Sequence, residues 1–133
     1  MPCTGGGRRT AVQFRMVAAD PTSLGVPSLV QRSLDAFVAG LRGRFGPRLR
    51  TVRLFGSYAR GTATEDSDVD CLVLLDHVSP EDDRAVTDLA GDLTWQVGGA
   101  VISPLVMSGA AFGEWKRRER RTPLEIEREG IAL

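Results

Sequence analysis

The sequence holds only two cysteines, one histidine and one tyrosine, and Lys116 is the one basic residue of seventeen that is not arginine. Cys3 and Cys71 lie far apart without metal-type spacing, which excludes a zinc finger and a disulfide-framed secreted domain. No apolar run approaches the roughly 20 residues that span a bilayer, so no membrane role is expected. Nor does an apolar stretch follow Arg8 and Arg9; no secretory signal is read there, and the cytoplasm is the expected compartment. Net charge is also zero, but unevenly placed: residues 1–62 hold ten arginines against Asp20 and Asp35, and the rest holds seven basic and fifteen acidic residues. No aromatic residues interleave with those arginines as single-strand binders require, so a solvated surface is expected and a nucleic-acid partner is not.

What is present suits one globular domain. The chain has 133 residues, of which 42% are hydrophobic and 26% charged, enough for a buried core. Residues 1–26 carry Gly5-Gly6-Gly7, Pro2, Pro21 and Gly25 without periodicity; they read as a flexible N-terminal extension in which Met16 is an alternative start. Organised sequence, residues 27–133, opens at Ser28 as a helix cap with Gln31 three residues on. Val30, Leu34, Phe37, Val38, Leu41 and Phe45 recur at helical spacing up to Gly46-Pro47.

A strand is expected over Leu49 to Phe55, broken by Gly56-Ser57, then a helical turn through Ala59 closed by Gly61. Residues 62–67 are loop chemistry. Asp68 to Asp76 is the clearest strand, with Val69, Cys71, Val73 and Leu75 on one face and Asp68, Asp70, Leu72 and Leu74 on the other. Ser79-Pro80 with Asp82 starts a helix whose buried face is Val86, Leu89, Ala90, Leu93 and Val97, stopped by Gly98-Gly99. Ala100 to Met107 is a third strand, and Pro104 puts it at a sheet edge or a strand end. Ser108 caps a helix holding Phe112 and Trp115, and Thr122-Pro123-Leu124-Glu125 reads as a capping box opening a last short helix before Gly130. The expected fold class is α/β: a small mixed β-sheet flanked by helices.

Asp68 and Asp70 carry the chemistry. Two positions apart on a strand, their alpha carbons stand about 6.5 Å apart on one face. Paired carboxylates repel and call for a cation, and oxygen-only ligands suit Mg2+ before zinc. A bare pair would more often be a turn cap and a solvated acid. Gly56-Ser57, ten residues upstream, changes the odds: glycine permits close backbone approach, a helix start presents free N–H groups to an anion, and the serine hydroxyl adds a phosphate contact. Arg60, one turn on, adds charge.

Leu54-Phe55-Gly56-Ser57-Tyr58-Ala59-Arg60-Gly61 followed by Ser67-Asp68-Val69-Asp70 resembles the signature of the polymerase-β-type nucleotidyltransferase superfamily. The short chain is similar within it to the minimal nucleotidyltransferases, often antitoxin partners of HEPN-domain toxins. The motif covers residues 54–76; a looser likeness in element order runs from 28 to 133. The resemblance implies a palm-like nucleotidyltransferase fold and transfer of a nucleoside monophosphate, AMP from ATP, to a hydroxyl of a partner protein, with pyrophosphate leaving. Asp68 and Asp70 would hold Mg2+ and act as the catalytic pair; Gly56, Ser57 and Arg60 would bind the nucleotide.

One departure stands out. The superfamily brings a third carboxylate from a later strand, and that strand here, Ala100 to Met107, has no acid; Asp88, Asp92 and Glu114 fall on helices. An alternative function is therefore a catalytically impaired nucleotide-binding module that neutralises a HEPN-type partner by contact, and a third is a nucleotide-sensing regulatory subunit. His77 reads as a solvated turn residue, Cys71 as core, Trp95 and Trp115 as core or interface, and the 116–121 charge run as a solvated helix face. The sheet edge and the aromatic C-terminal helices suggest a homo- or hetero-oligomer.

Overall fold

The structure, a computed structural model, describes residues 25–64, 66–98, 100–118 and 121–133. The expected N-terminal extension, Cys3 and Met16 therefore lie outside the described residues except for positions 25 and 26, as do Gly99 of the helix stop and positions 119–120 of the charge run. The elements run α1 (Ser28–Phe45), a 3-10 turn (Gly46–Arg48), β1 (Leu49–Phe55), α2 (Ser57–Arg60), β2 (Val69–Leu75) and α3 (Pro80–Leu93). After a π turn at Thr94–Gly98 come β3 (Ile102–Ser108), α4 (Gly109–Arg118), α5 (Thr122–Glu129) and β4 (Ile131–Ala132).

Helix α1 forms because its apolar residues fall on one stripe. Val30, Leu34, Phe37, Leu41 and Phe45 are buried along it, and Val38 packs against the same cluster. Each such side chain removed from water contributes roughly 1.5–3 kcal/mol before the entropy of ordering it is subtracted. The expected cap at Ser28 is not used. Pro27 occupies the cap position, no side chain caps the helix, and Ser28 is already helical. The capping box expected at Thr122 also fails: Arg121 is the flanking residue and Thr122 the first turn. At both helices the residue ahead of the Ser or Thr fills the cap position instead.

The start of α3 does follow its sequence. The Ser79 hydroxyl accepts from the Asp82 N–H at 3.1 Å, the Asp82 carboxylate accepts from the Ser79 N–H at 2.9 Å, and Pro80 stands in the first turn. Arg48 donates to the same carboxylate at 2.7 Å while lying over the Phe45 ring, 5.6 Å from its centroid. This cluster ties the turn after α1 to the start of α3. Its charge partners hold the Asp82 carboxyl well below the usual carboxylate range.

Among the described residues the strands form one sheet in the order β3-β2-β1-β4. β1 pairs antiparallel with β2 and β4, and β2 pairs parallel with β3. The β2–β3 pair needs a crossover, which α3 supplies. Pro104 does lie on an edge strand, where its missing N–H costs least. The two-residue β4 was not expected; it forms because Gly130 turns the chain back and Leu133 N–H donates to Val52 O at 2.9 Å.

β2 divides the core. Val69, Cys71, Val73 and Leu75 face α1 and α3, whereas Leu72 and Leu74 face a second cluster with Phe55, Leu105, Met107, Phe112, Trp115 and Ile126. The Cys71 thiol is fully buried and its pKa is pushed up to about 12 by that burial, which makes it core. Trp95 is not core: it is 88% exposed on the π turn. It falls between Leu93 and Val97, the stripe positions that do pack on the core.

Candidate active site

The site begins at the end of β1. Phe55 is in register with Asp70 of the antiparallel neighbour β2, so the next residue, Gly56, is set against the Asp70 side chain. Gly56 has φ 78° and ψ −154°, a backbone conformation open to glycine. A Cβ there would stand 3.2 Å from the Asp70 Cγ and closer still to its Oδ2. Close approach of backbone to carboxylate is thus built into the fold at this position. Gly61, at φ 77°, closes α2 in the left-handed region with its N–H on Ser57 O.

Ser57 starts α2, where the N–H groups of the first turn have few internal partners; Ala59 and Arg60 donate back to Gly56 O at 3.1 Å each. The following loop is tied by its own hydroxyls. Thr64 N–H donates to Ser67 Oγ at 2.9 Å, Ser67 N–H to Thr64 O at 3.0 Å, and Tyr58 OH to Thr64 O at 3.4 Å. Asp68, exposed, follows immediately, just outside β2, and Val69 N–H donates to Val101 O at 2.8 Å to fix the strand against β3.

Asp70 is half-buried, and its carboxyl is raised above the ordinary range by that burial and by the charge of Asp68, with Arg60 opposing. Among the described residues, neither carboxylate accepts a hydrogen bond or forms an ion pair. Two close carboxylates whose mutual repulsion Arg60 offsets only in part form a donor set that fits a hard divalent cation. Asp68 and Asp70 would hold it. No group of three or more His, Cys, Asp or Glu side chains suited to a metal occurs among the described residues.

All five expected site residues therefore come together at one end of the sheet. Two further residues belong with them. Ser103 of β3 is in register with Asp70, on the same face, so an acid at this position would stand beside Asp70. Glu129, at the end of α5, comes within 3.6 Å of the Arg60 guanidinium. Spacing gives no hint of Glu129, because only the packing of α5 on β1 brings it near. His77, past the far end of β2, pairs with Asp76 instead and plays no part here.

The sheet end sets a glycine turn against paired aspartates, and the family model for nucleotidyltransferase domains matches residues 35–123. The chain belongs to that family. It is 36% identical over 84 residues to a Methanocaldococcus jannaschii protein, provisionally named protein adenylyltransferase MJ0604, a match covering 63% of this chain and 79% of that one. It is 52% identical over 44 residues to protein adenylyltransferase MntA of Thermococcus cleftensis, covering 33% of this chain and 42% of that relative. Among solved structures it is similar to a provisionally assigned minimal nucleotidyltransferase, with a TM-score of 0.49, 32% identity and coverage of 80% of this chain and 93% of that one. A toxin–antitoxin structure with AMP-PNP gives a TM-score of 0.47 at 23% identity, over 72% of this chain and 68% of that one.

Proposed function

We propose that this chain transfers AMP from ATP, with Mg2+, to a hydroxyl group of a partner protein in the cytoplasm, the partner being of HEPN type and the pair acting as toxin and antitoxin. The observation that supports the reading is the close approach of Gly56 to the Asp70 carboxylate, which would bring phosphates bound at the glycine turn beside a cation held by the aspartate pair. Membership of the nucleotidyltransferase family and the adenylyltransferase names of the two relatives support it. No described helix is long and apolar enough to cross a membrane.

Each residue has a part. The Gly56 and Ser57 backbone and the Ser57 hydroxyl bind the β- and γ-phosphates, and Arg60 adds a positive charge beside them. Asp68 and Asp70 hold Mg2+, which when bound neutralises phosphate charge and polarises the reacting phosphoryl group. The acceptor oxygen bonds to the α-phosphorus as the bond from that phosphorus to the α,β-bridging oxygen breaks. Pyrophosphate leaves with that electron pair, and the hydroxyl proton passes to solvent water. Positioning and fixed charge supply most of the rate gain in such a step.

A second reading has its own observation. Ser103 beside Asp70 leaves the cation site one carboxylate short, which favours a module that binds nucleotide and restrains its partner by contact. Incubation with α-labelled ATP, Mg2+ and cell extract separates the two. Transfer predicts a labelled protein band that disappears in the Asp68→Ala/Asp70→Ala double variant. Nucleotide binding without any labelled band would replace the transferase with the binding module.

A further inference from the structure

We propose that the groove between β3 and α4 is the acceptor subsite, and that it seats an apolar side chain of the acceptor polypeptide a few residues from the attacking hydroxyl. This rests on the transferase reading above and specifies its substrate. The groove, of about 370 Å³, is lined by Leu105 and Met107 of β3 and by Ala111, Glu114, Trp115 and Arg118 of α4.

Its position follows from register and from the chemistry of displacement. Ser103, Leu105 and Met107 are in register with Asp70, Leu72 and Leu74, so the groove lies on the sheet face that carries Asp70. The phosphate turn, Gly56-Ser57, is on the β1 flank of Asp70, whereas the groove is on the opposite, β3 flank. In-line transfer requires the incoming oxygen to approach the α-phosphorus opposite the departing pyrophosphate. Pyrophosphate leaving on the β1 flank puts the acceptor on the β3 flank. There the hydroxyl oxygen bonds to phosphorus, the bond to the bridging oxygen breaks toward pyrophosphate, and the proton goes to water.

The lining selects a side chain over a nucleobase. Pockets that hold small molecules place a few free polar groups among apolar walls. Here the polar side chains on the lining are Glu114 and Arg118, already joined at 3.1 Å. The remaining surface is Leu, Met, Ala and the Trp115 ring, which Phe112 holds edge-on at 5.9 Å between centroids. Leu105 stands about 6.6 Å and Met107 about 13 Å beyond Ser103 along the strand, so an extended acceptor places its anchor roughly two to four residues from the hydroxyl. Glu114 also pairs with Arg117, so one carboxylate serves two guanidinium groups. The lip is net positive and favours an acidic residue beside the apolar anchor.

The test uses the full chain, α-labelled ATP and a library of peptides with one central Tyr, Ser or Thr and randomised flanks, together with direct binding of a fluorescent ATP analogue. Labelled peptides should carry an apolar residue two to four positions from the hydroxyl with an acid nearby. Met107→Glu should cut labelling at least tenfold with ATP affinity unchanged. Arg118→Glu, on an exposed helix end, should switch the flank preference from acidic to basic. Random flanks, preferences unmoved in both variants, or no labelled peptide from a chain that does label a protein band in cell extract would overturn the proposal. So would a fall in ATP affinity parallel to labelling, which would place the nucleotide in the groove. A wild-type chain that binds ATP and labels neither, or that fails to bind ATP, would defeat the transferase reading itself, and this proposal with it.

Discussion

Asp70 fills the space that a side chain at Gly56 would need: a Cβ built there meets the Asp70 Cγ at 3.2 Å. The glycine's positive φ and the aspartate's inward aim are one feature seen from two strands. Gly56→Ala should lose stability by about 1–3 kcal/mol from backbone strain alone. It should also reduce AMP transfer at least a hundredfold, because the phosphate turn and the carboxylate must move apart. Denaturant unfolding and the labelled-ATP assay read the two effects; full transfer by the alanine variant would break the link between turn and carboxylate.

Asp70→Asn should make the folded chain more stable and leave it inactive. The Asp70 carboxyl is raised by burial and by Asp68, so the folded chain holds this proton more tightly than the unfolded chain. Stability then falls as pH rises through the carboxylate range and stays reduced at neutral pH. The Asn variant should show the higher Tm at pH 7, with the difference closing toward low pH. A lower Tm at pH 7 would contradict the assigned repulsion.

Asp82 has the opposite sign. Its carboxyl is held low, first by the Arg48 hydrogen bond and then by the Ser79 N–H. The stability it contributes is present above the ordinary aspartate pKa of about 3.9 and is lost as pH falls below it. Asp82→Asn should therefore lower the Tm at pH 7, and the gap to wild type should narrow on acidification below about pH 4. An equal gap at pH 7 and pH 3 would remove the charge from the account and leave only the cap.

The order of helices and the first three strands is legible because hydrophobic period and turn chemistry agree, as at Val30 to Phe45 and at Ser79-Pro80-Asp82. The same reasoning fails where it depends on side-chain caps, at Ser28 and Thr122, since several adjacent residues can occupy a helix start. β4 was illegible because two residues carry no period. Within the site, Gly56, Ser57, Asp68 and Asp70 are readable from one motif, and the structure brings them together. The missing acid of the third strand was visible in the sequence, and register alone shows that Ser103 is the residue beside Asp70. Glu129 and the β3–α4 groove arise from packing between distant elements, which local spacing does not encode.

Ser103→Asp tests that register. An acid at this position would share the face of Asp70 and complete a third ligand for the bound cation. AMP transfer should rise about tenfold or more, equivalent to roughly 1.4 kcal/mol of transition-state stabilisation, and the Mg2+ concentration for half-maximal rate should drop. In the absence of Mg2+ the added like charge should lower the Tm. Unchanged transfer together with unchanged Mg2+ dependence would show that residue 103 does not reach the cation.

The central claim is that an AMP unit, and not a phosphate, moves from ATP to a protein hydroxyl. Parallel reactions with α-labelled and γ-labelled ATP in the presence of Mg2+ and cell extract test this directly. The account predicts a protein band labelled from the α position only, with γ label recovered in pyrophosphate, and no band from the Asp68→Ala/Asp70→Ala variant. A band labelled from the γ position, or an α-labelled band that survives loss of both aspartates, would contradict it.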